Sequence, residues 1–109
     1  MLDSVALQDA RRSAAAPVIV DVRGPDDYAA SHIPGAVNIP VAELADRLAE
    51  LPQDRPVVTY CMMQHRGSSR GERAAALLQE HGRQAQVLDG GLPAWRAAGF
   101  DIEGTQASA

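Results

Sequence analysis

The chain has 109 residues, 46% of them hydrophobic and 22% charged, with a formal net charge of −4, which suits one globular domain around a single core. The acidic balance argues against a nucleic-acid partner, the absence of lysine excludes Schiff-base chemistry and a lysine-bearing phosphate loop, and a single cysteine excludes an internal disulfide. No apolar run approaches the roughly 20 residues that span a bilayer, and Met1-Leu2-Asp3-Ser4-Val5 lacks the basic start of a secretory leader, so a cytoplasmic location without membrane contact is expected.

In chain order, Ser4 to Ala15 reads as a short surface helix with Ser4 as its N-cap and Val5, Leu7 and Ala10 as sparse apolar contacts. Pro17 to Arg23 is an apolar, β-branched run of the buried-strand type, closed by Gly24-Pro25. Asp21 and Arg23 fall at its carboxyl end, the edge of a parallel sheet where ligands bind; a supporting ion pair is the favoured role. Pro25 to Ser31 suits one or two helical turns. In the stretch from His32 to Pro40, Pro34-Gly35 forces a turn and Ala36 to Ile39 makes a short strand, with His32 read as a hydrogen-bonded structural residue.

Val41, Leu44, Ala45, Leu48 and Leu51 recur at helical spacing with acids and Arg47 between them, which predicts an amphipathic helix. Pro56 to Tyr60 is the next buried strand, and it delivers Cys61 into a loop carrying His65, Arg66, Arg70 and Arg73 against the single acid Glu72. Ser69 and Glu72 form a capping box, with Ala74, Ala75, Leu77, Leu78 and His81 as the stripe of the helix that follows. The helix terminus and the arginines both favour the thiolate, the nucleophilic form of cysteine, whereas a structural cysteine needs no such setting. His81-Gly82 ends that helix, Ala85 to Leu88 is a last strand, and Leu92 to Ala98 is a last helix with Trp95 on its inner face. Residues 1–103 thus form one domain, and 104–109 are expected to be a flexible tail. Strands alternating with helices, with no hairpin signal, give an α/β fold with a parallel sheet. The three histidines are scattered and show no metal-ligand spacing, so no metal is expected.

Three stretches resemble the rhodanese-like sulfurtransferases. Val20-Asp21-Val22-Arg23 with Ser31-His32-Ile33-Pro34-Gly35-Ala36-Val37-Asn38-Ile39-Pro40 is similar to the amino-terminal signature of that family, Ser31 standing where a glycine is usual. Thr59-Tyr60-Cys61 resembles its nucleophile strand, and Asp89-Gly90-Gly91-Leu92-Pro93-Ala94-Trp95 its carboxyl-terminal element. The resemblance implies a three-layer fold with a central, mostly parallel sheet of about five short strands flanked by helices. It also implies that Cys61 takes a sulfane sulfur from thiosulfate or a persulfide, becomes a persulfide, and passes the sulfur to cyanide or a thiol, protein thiols included.

On that likeness Asp21 and Arg23 would support the loop, Trp95 would pack, and no metal or organic cofactor is required; a monomer is expected. Met62, Met63, Gln64, His65, Arg66, Gly67 and Arg70 are the residues expected to contact substrate. Met62 and Met63 fit an apolar wall or a plug against the core equally well, and His65 fits a tuning imidazolium or a solvated side chain. Cys61 to Arg66 matches the family spacing CxxxxR, yet Arg70-Gly71-Glu72-Arg73-Ala74-Ala75 also resembles the helix start, so either arginine could close the loop. Two alternatives stand beside sulfur transfer: an oxyanion enzyme resembling dual-specificity phosphatases or arsenate reductases, and a partner-restricted sulfur-carrier or regulatory module.

Overall fold

A computed structural model describes residues 2–62 and 69–105. Helix α1 (Ser4–Arg11) leads to β1 (Val18–Asp21), α2 (Pro25–Ala30), β2 (Val37–Asn38), a 3-10 segment (Val41–Glu50), β3 (Val57–Tyr60), α3 (Arg70–Glu80), β4 (Ala85–Val87) and α4 (Gly91–Ala97). The strands lie in the order β2-β1-β3-β4 and every pairing is parallel. All four carboxyl ends therefore open on one edge, where Asp21, Asn38, Tyr60 and Val87 end their strands. Among the described residues the sheet has four strands rather than about five; beyond β4, Leu2 adds a single parallel bridge to Leu88.

The period-2 alternation of side chains separates two apolar layers. Val20, Val22, Val57 and Cys61 join Leu44, Ala74, Ala75 and Leu78 on the face covered by the 3-10 segment and α3. Ile19, Val58 and Tyr60 join Leu7, Leu92 and Trp95 on the face covered by α1 and α4. Cys61 thus continues the parity of Val57 and Thr59, and that parity directs it toward α3.

Several elements differ from the sequence expectation, each for a local reason. Helix α1 stops at Arg11, and its N-cap is Asp3, whose carboxylate accepts from the Ala6 amide at 2.8 Å, so Ser4 is the first helical residue. Val41–Glu50 winds as a 3-10 helix instead of an α-helix, broken at Arg47 (φ −118°, ψ 17°). Val41 and Leu44, like Leu48 and Leu51, are three apart and so eclipse in 3-10 winding; the break absorbs the four-residue step between the pairs. Near the carboxyl end the Thr105 amide donates to the Ala29 carbonyl at 2.9 Å, next to an antiparallel bridge between Glu103 and His32. Among the described residues no helix is long and apolar enough to cross a membrane.

Candidate active site

Helix α3 meets the end of β3 at unusually close range. Ser69 caps the helix, its Oγ accepting from the Glu72 amide at 3.0 Å, as the capping box requires. Two residues on, Gly71 leaves no room for a side chain: a Cβ there would lie 2.9 Å from Val87 Cγ2, 3.4 Å from Tyr60 Cα and 3.6 Å from the Cys61 amide nitrogen. The Thr59 hydroxyl, buried on the same face, donates to the Gly71 carbonyl at 2.6 Å. The first turn of α3 is thereby pinned against the Tyr60-Cys61 peptide, and its partial positive charge favours an anion beside the sulfur. From the other side, the Leu92 amide of α4 donates to the Cys61 carbonyl at 3.0 Å.

Cys61 itself is 2% exposed and packs in the layer beneath α3, whereas Met62 is 42% exposed. Arg70 is the first residue of α3 and is half-buried, so the chain that leaves β3 at Cys61 re-enters regular structure at the Ser69 cap. Met63, Gln64, His65, Arg66 and Gly67 lie outside the described residues.

Asp21 and Arg23 form a buried ion pair, 0% and 1% exposed, joined by Nη2 to Oδ2 at 2.6 Å and by Nε to both carboxylate oxygens at 2.9 and 3.1 Å. Burial works to lower the guanidinium pKa, but the hydrogen bonds and charge of Asp21 outweigh it and hold the group above its ordinary value. The guanidinium also donates to the Ser31 carbonyl at 2.6 Å and lies 5.9 Å from the Tyr60 ring centre. Tyr60 in turn accepts from the Ile33 amide at 3.0 Å, and burial, followed by the negative charge of Asp21, pushes its phenol well above the usual range. The pair therefore ties the end of β1 to the connection before β2 and to the residue preceding Cys61, on the face of the sheet opposite α3. The Asn38 amide completes this corner, donating to the carbonyls of Asp21 and Arg23 at 3.0 and 2.9 Å.

His32 stands apart from the thiol. Its ring stacks on Tyr28 at 3.9 Å, and its Nδ1 lies 2.7 Å from the Tyr28 carbonyl oxygen, a structural arrangement. Trp95 is fully buried, with Nε1 donating to the Asp101 carbonyl at 2.8 Å. The positioning residues missed in the sequence are Thr59, Gly71 and Tyr60. Gly71 had a signal, a helix-weakening glycine in a first turn, while Thr59 and Tyr60 read as ordinary strand residues.

A sequence profile of the rhodanese-like domain matches residues 4–98. The chain belongs to the rhodanese-like domain family, a family that includes sulfurtransferases. It is 40% identical over 82 residues to the thiosulfate sulfurtransferase GlpE of Pseudoalteromonas translucida, covering 74% of each chain. It is also 46% identical over 95 residues to the HTH-type transcriptional regulator Rv0324 of Mycobacterium tuberculosis, aligning 85% of this chain with 40% of that protein, less than half of its length. The crystal structure of the BH2092 protein of Bacillus halodurans superposes with a TM-score of 0.85 at 29% identity, over 97% of this chain and 77% of that one.

Proposed function

We propose that this domain transfers a sulfane sulfur through a persulfide on Cys61. The observation that carries the reading is the placement of the only cysteine at the carboxyl end of β3, with the first turn of α3 held at contact range by Gly71. In the first displacement the Cys61 thiolate attacks the outer sulfur of thiosulfate, the donor S–S bond breaks, and its electron pair leaves with sulfite. In the second, cyanide or a thiolate attacks the terminal sulfur of the persulfide and the S–S pair returns to Cys61, releasing thiocyanate or a new persulfide. Each anionic state gains from the helix terminus beside it, and splitting the transfer in two avoids a direct reaction between donor and acceptor. A cysteine residue 2% exposed is shielded from bulk water, which favours a compact donor and limits loss of the bound sulfur.

A second reading, a sulfur-loaded regulatory module serving one protein partner, is favoured by the regulator among the relatives, which includes a matching domain within a longer chain. Intact-mass measurement after thiosulfate and then cyanide, with Cys61→Ala alongside, tests the proposal. Gain of one sulfur by the parent chain only, and its release as thiocyanate, is expected. Full loading in Cys61→Ala would overturn the mechanism; no loading of a parent chain whose thiol still alkylates would favour the partner-restricted module or an oxyanion enzyme.

A further inference from the structure

A second cleft, of about 490 Å³, opens where β2 stops short. Because β2 pairs with β1 only from Val20 onward, Val18 and Ile19 have no β2 partner, and the 3-10 segment and the turn at Pro52 wall the space that remains. It reaches from Val18 and Ile19 in β1 to Val37 and Asn38 in β2, so it borders the Asp21 corner through Asn38, and neither Cys61 nor Gly71 lines it. Its volume falls within the roughly 300–1,000 Å³ of small-molecule sites.

The charged groups lining it are Arg11, Arg47, Arg55 and Glu50. Arg47 is compensated, paired with Glu43 at 3.1 Å and with Glu50 at 2.7 Å. Arg11 and Arg55 are not: among the described residues neither enters an ion pair, and both bond only neutral oxygens. Arg11 donates to Gln8 Oε1 at 2.8 Å and to the Pro34 carbonyl at 3.2 Å, with its guanidinium 5.5 Å from the centre of the Trp95 ring. Arg55 donates to the carbonyls of Ala16 at 2.8 Å and Pro17 at 3.4 Å. A guanidinium has five N–H donors, so each keeps donors to spare while its orientation is already set by backbone acceptors. Two pre-oriented cations line one cleft of a chain whose net charge is −4. Pro34, Val37, Leu51 and Pro52 supply apolar wall to the same cleft.

We infer that this cleft binds a small organic oxyanion, a carboxylate or phosphate carried on an apolar body, with Arg11 and Arg55 as its anchors. Pre-orientation removes part of the ordering cost that a flexible arginine would impose on binding. Because Glu50 is already paired with Arg47, Arg11 and Arg55 are left to meet the charge of a ligand, and Val37 and Leu51 to meet its apolar part.

Titration of the labelled chain with benzoate, phenyl phosphate and inorganic phosphate, followed by amide and arginine Nε–H resonances, tests the assignment. Saturable shifts at Arg11, Arg55 and Val37 are expected with benzoate or phenyl phosphate, the two distinguishing a carboxylate from a phosphate head. Arg55→Gln, at an exposed position, should weaken that binding by at least about tenfold with unfolding temperature retained, and Arg11→Gln should do likewise. No saturable shift at these residues with either organic anion would overturn the inference. So would equal binding of inorganic phosphate, or undiminished binding by Arg55→Gln and Arg11→Gln.

Discussion

Replacing Asp21 by alanine would leave the Arg23 guanidinium buried with, among the described residues, the Ser31 carbonyl as its one hydrogen-bond acceptor, since its three contacts to the carboxylate would be lost. A buried charge stripped of its counterion costs about 3–5 kcal/mol, a large part of the about 5–15 kcal/mol that holds a domain folded. At about 4–8 °C per kcal/mol for a domain near this size, the lower figure corresponds to a fall in Tm of about 12–24 °C. The Arg23→Met change should cost a comparable amount by removing the counterion of the 0%-exposed carboxylate, which would keep the residue-23 backbone amide as a donor to Oδ1. The double variant removes both charges, so its loss should fall well short of the sum of the two, with a coupling of about 2–3 kcal/mol. Urea unfolding followed by fluorescence of Trp95, the only tryptophan and fully buried, gives all three values. A single-variant loss below about 1 kcal/mol, or a double variant equal to the sum, would refute the assignment of the pair as a mutually dependent buried unit.

Gly71→Ala sets the about 1–3 kcal/mol of overpacking against Val87 Cγ2 against the roughly 0.5–1 kcal/mol that alanine contributes to a helix, so a small net destabilisation with slower sulfur loading of Cys61 is expected. A more stable chain loading at the full rate would show that the close approach of α3 is not needed. Tyr60 has a raised phenol pKa in the fold, so it keeps its proton where the unfolded chain releases one; its contribution is complete below about pH 10 and is lost as pH rises beyond that, by at most about 1.4 kcal/mol per pH unit. Tyr28 is raised in the same direction by burial, so Tyr60→Phe should reduce the alkaline slope in urea unfolding without abolishing it, and an unchanged slope would contradict the burial of the phenol.

Much of this architecture was legible because it rests on local rules. The β-branched runs before Asp21 and Cys61, the capping box at Ser69 and the glycine at the start of α4 each act through neighbouring residues, so their elements and the parallel α/β order could be read along the chain. The same holds for Cys61, which a strand end and a helix start bracket within a short span. Other features depend on distances that no local pattern contains. Val41–Glu50 has helical spacing, but its 3-10 winding answers to Leu44 and Leu51 reaching one sheet face and to the break at Arg47. Thr105 reads as tail along the chain, and only the fold brings its amide to the Ala29 carbonyl.

Arg11 and Arg55 belong to segments far apart in the chain, and both line one cleft beside the short β2. The amino-acid sequence by itself determined which residues could form strands and helices and which thiol stood at a strand end, because propensity, capping and alternation are short-range. Tertiary structure alone decided that α3 touches the Cys61 strand through Gly71, that the Asp21–Arg23 pair serves the opposite face with Tyr60, and that Arg11 and Arg55 line one cleft, because packing and charge burial depend on the closure of the whole sheet.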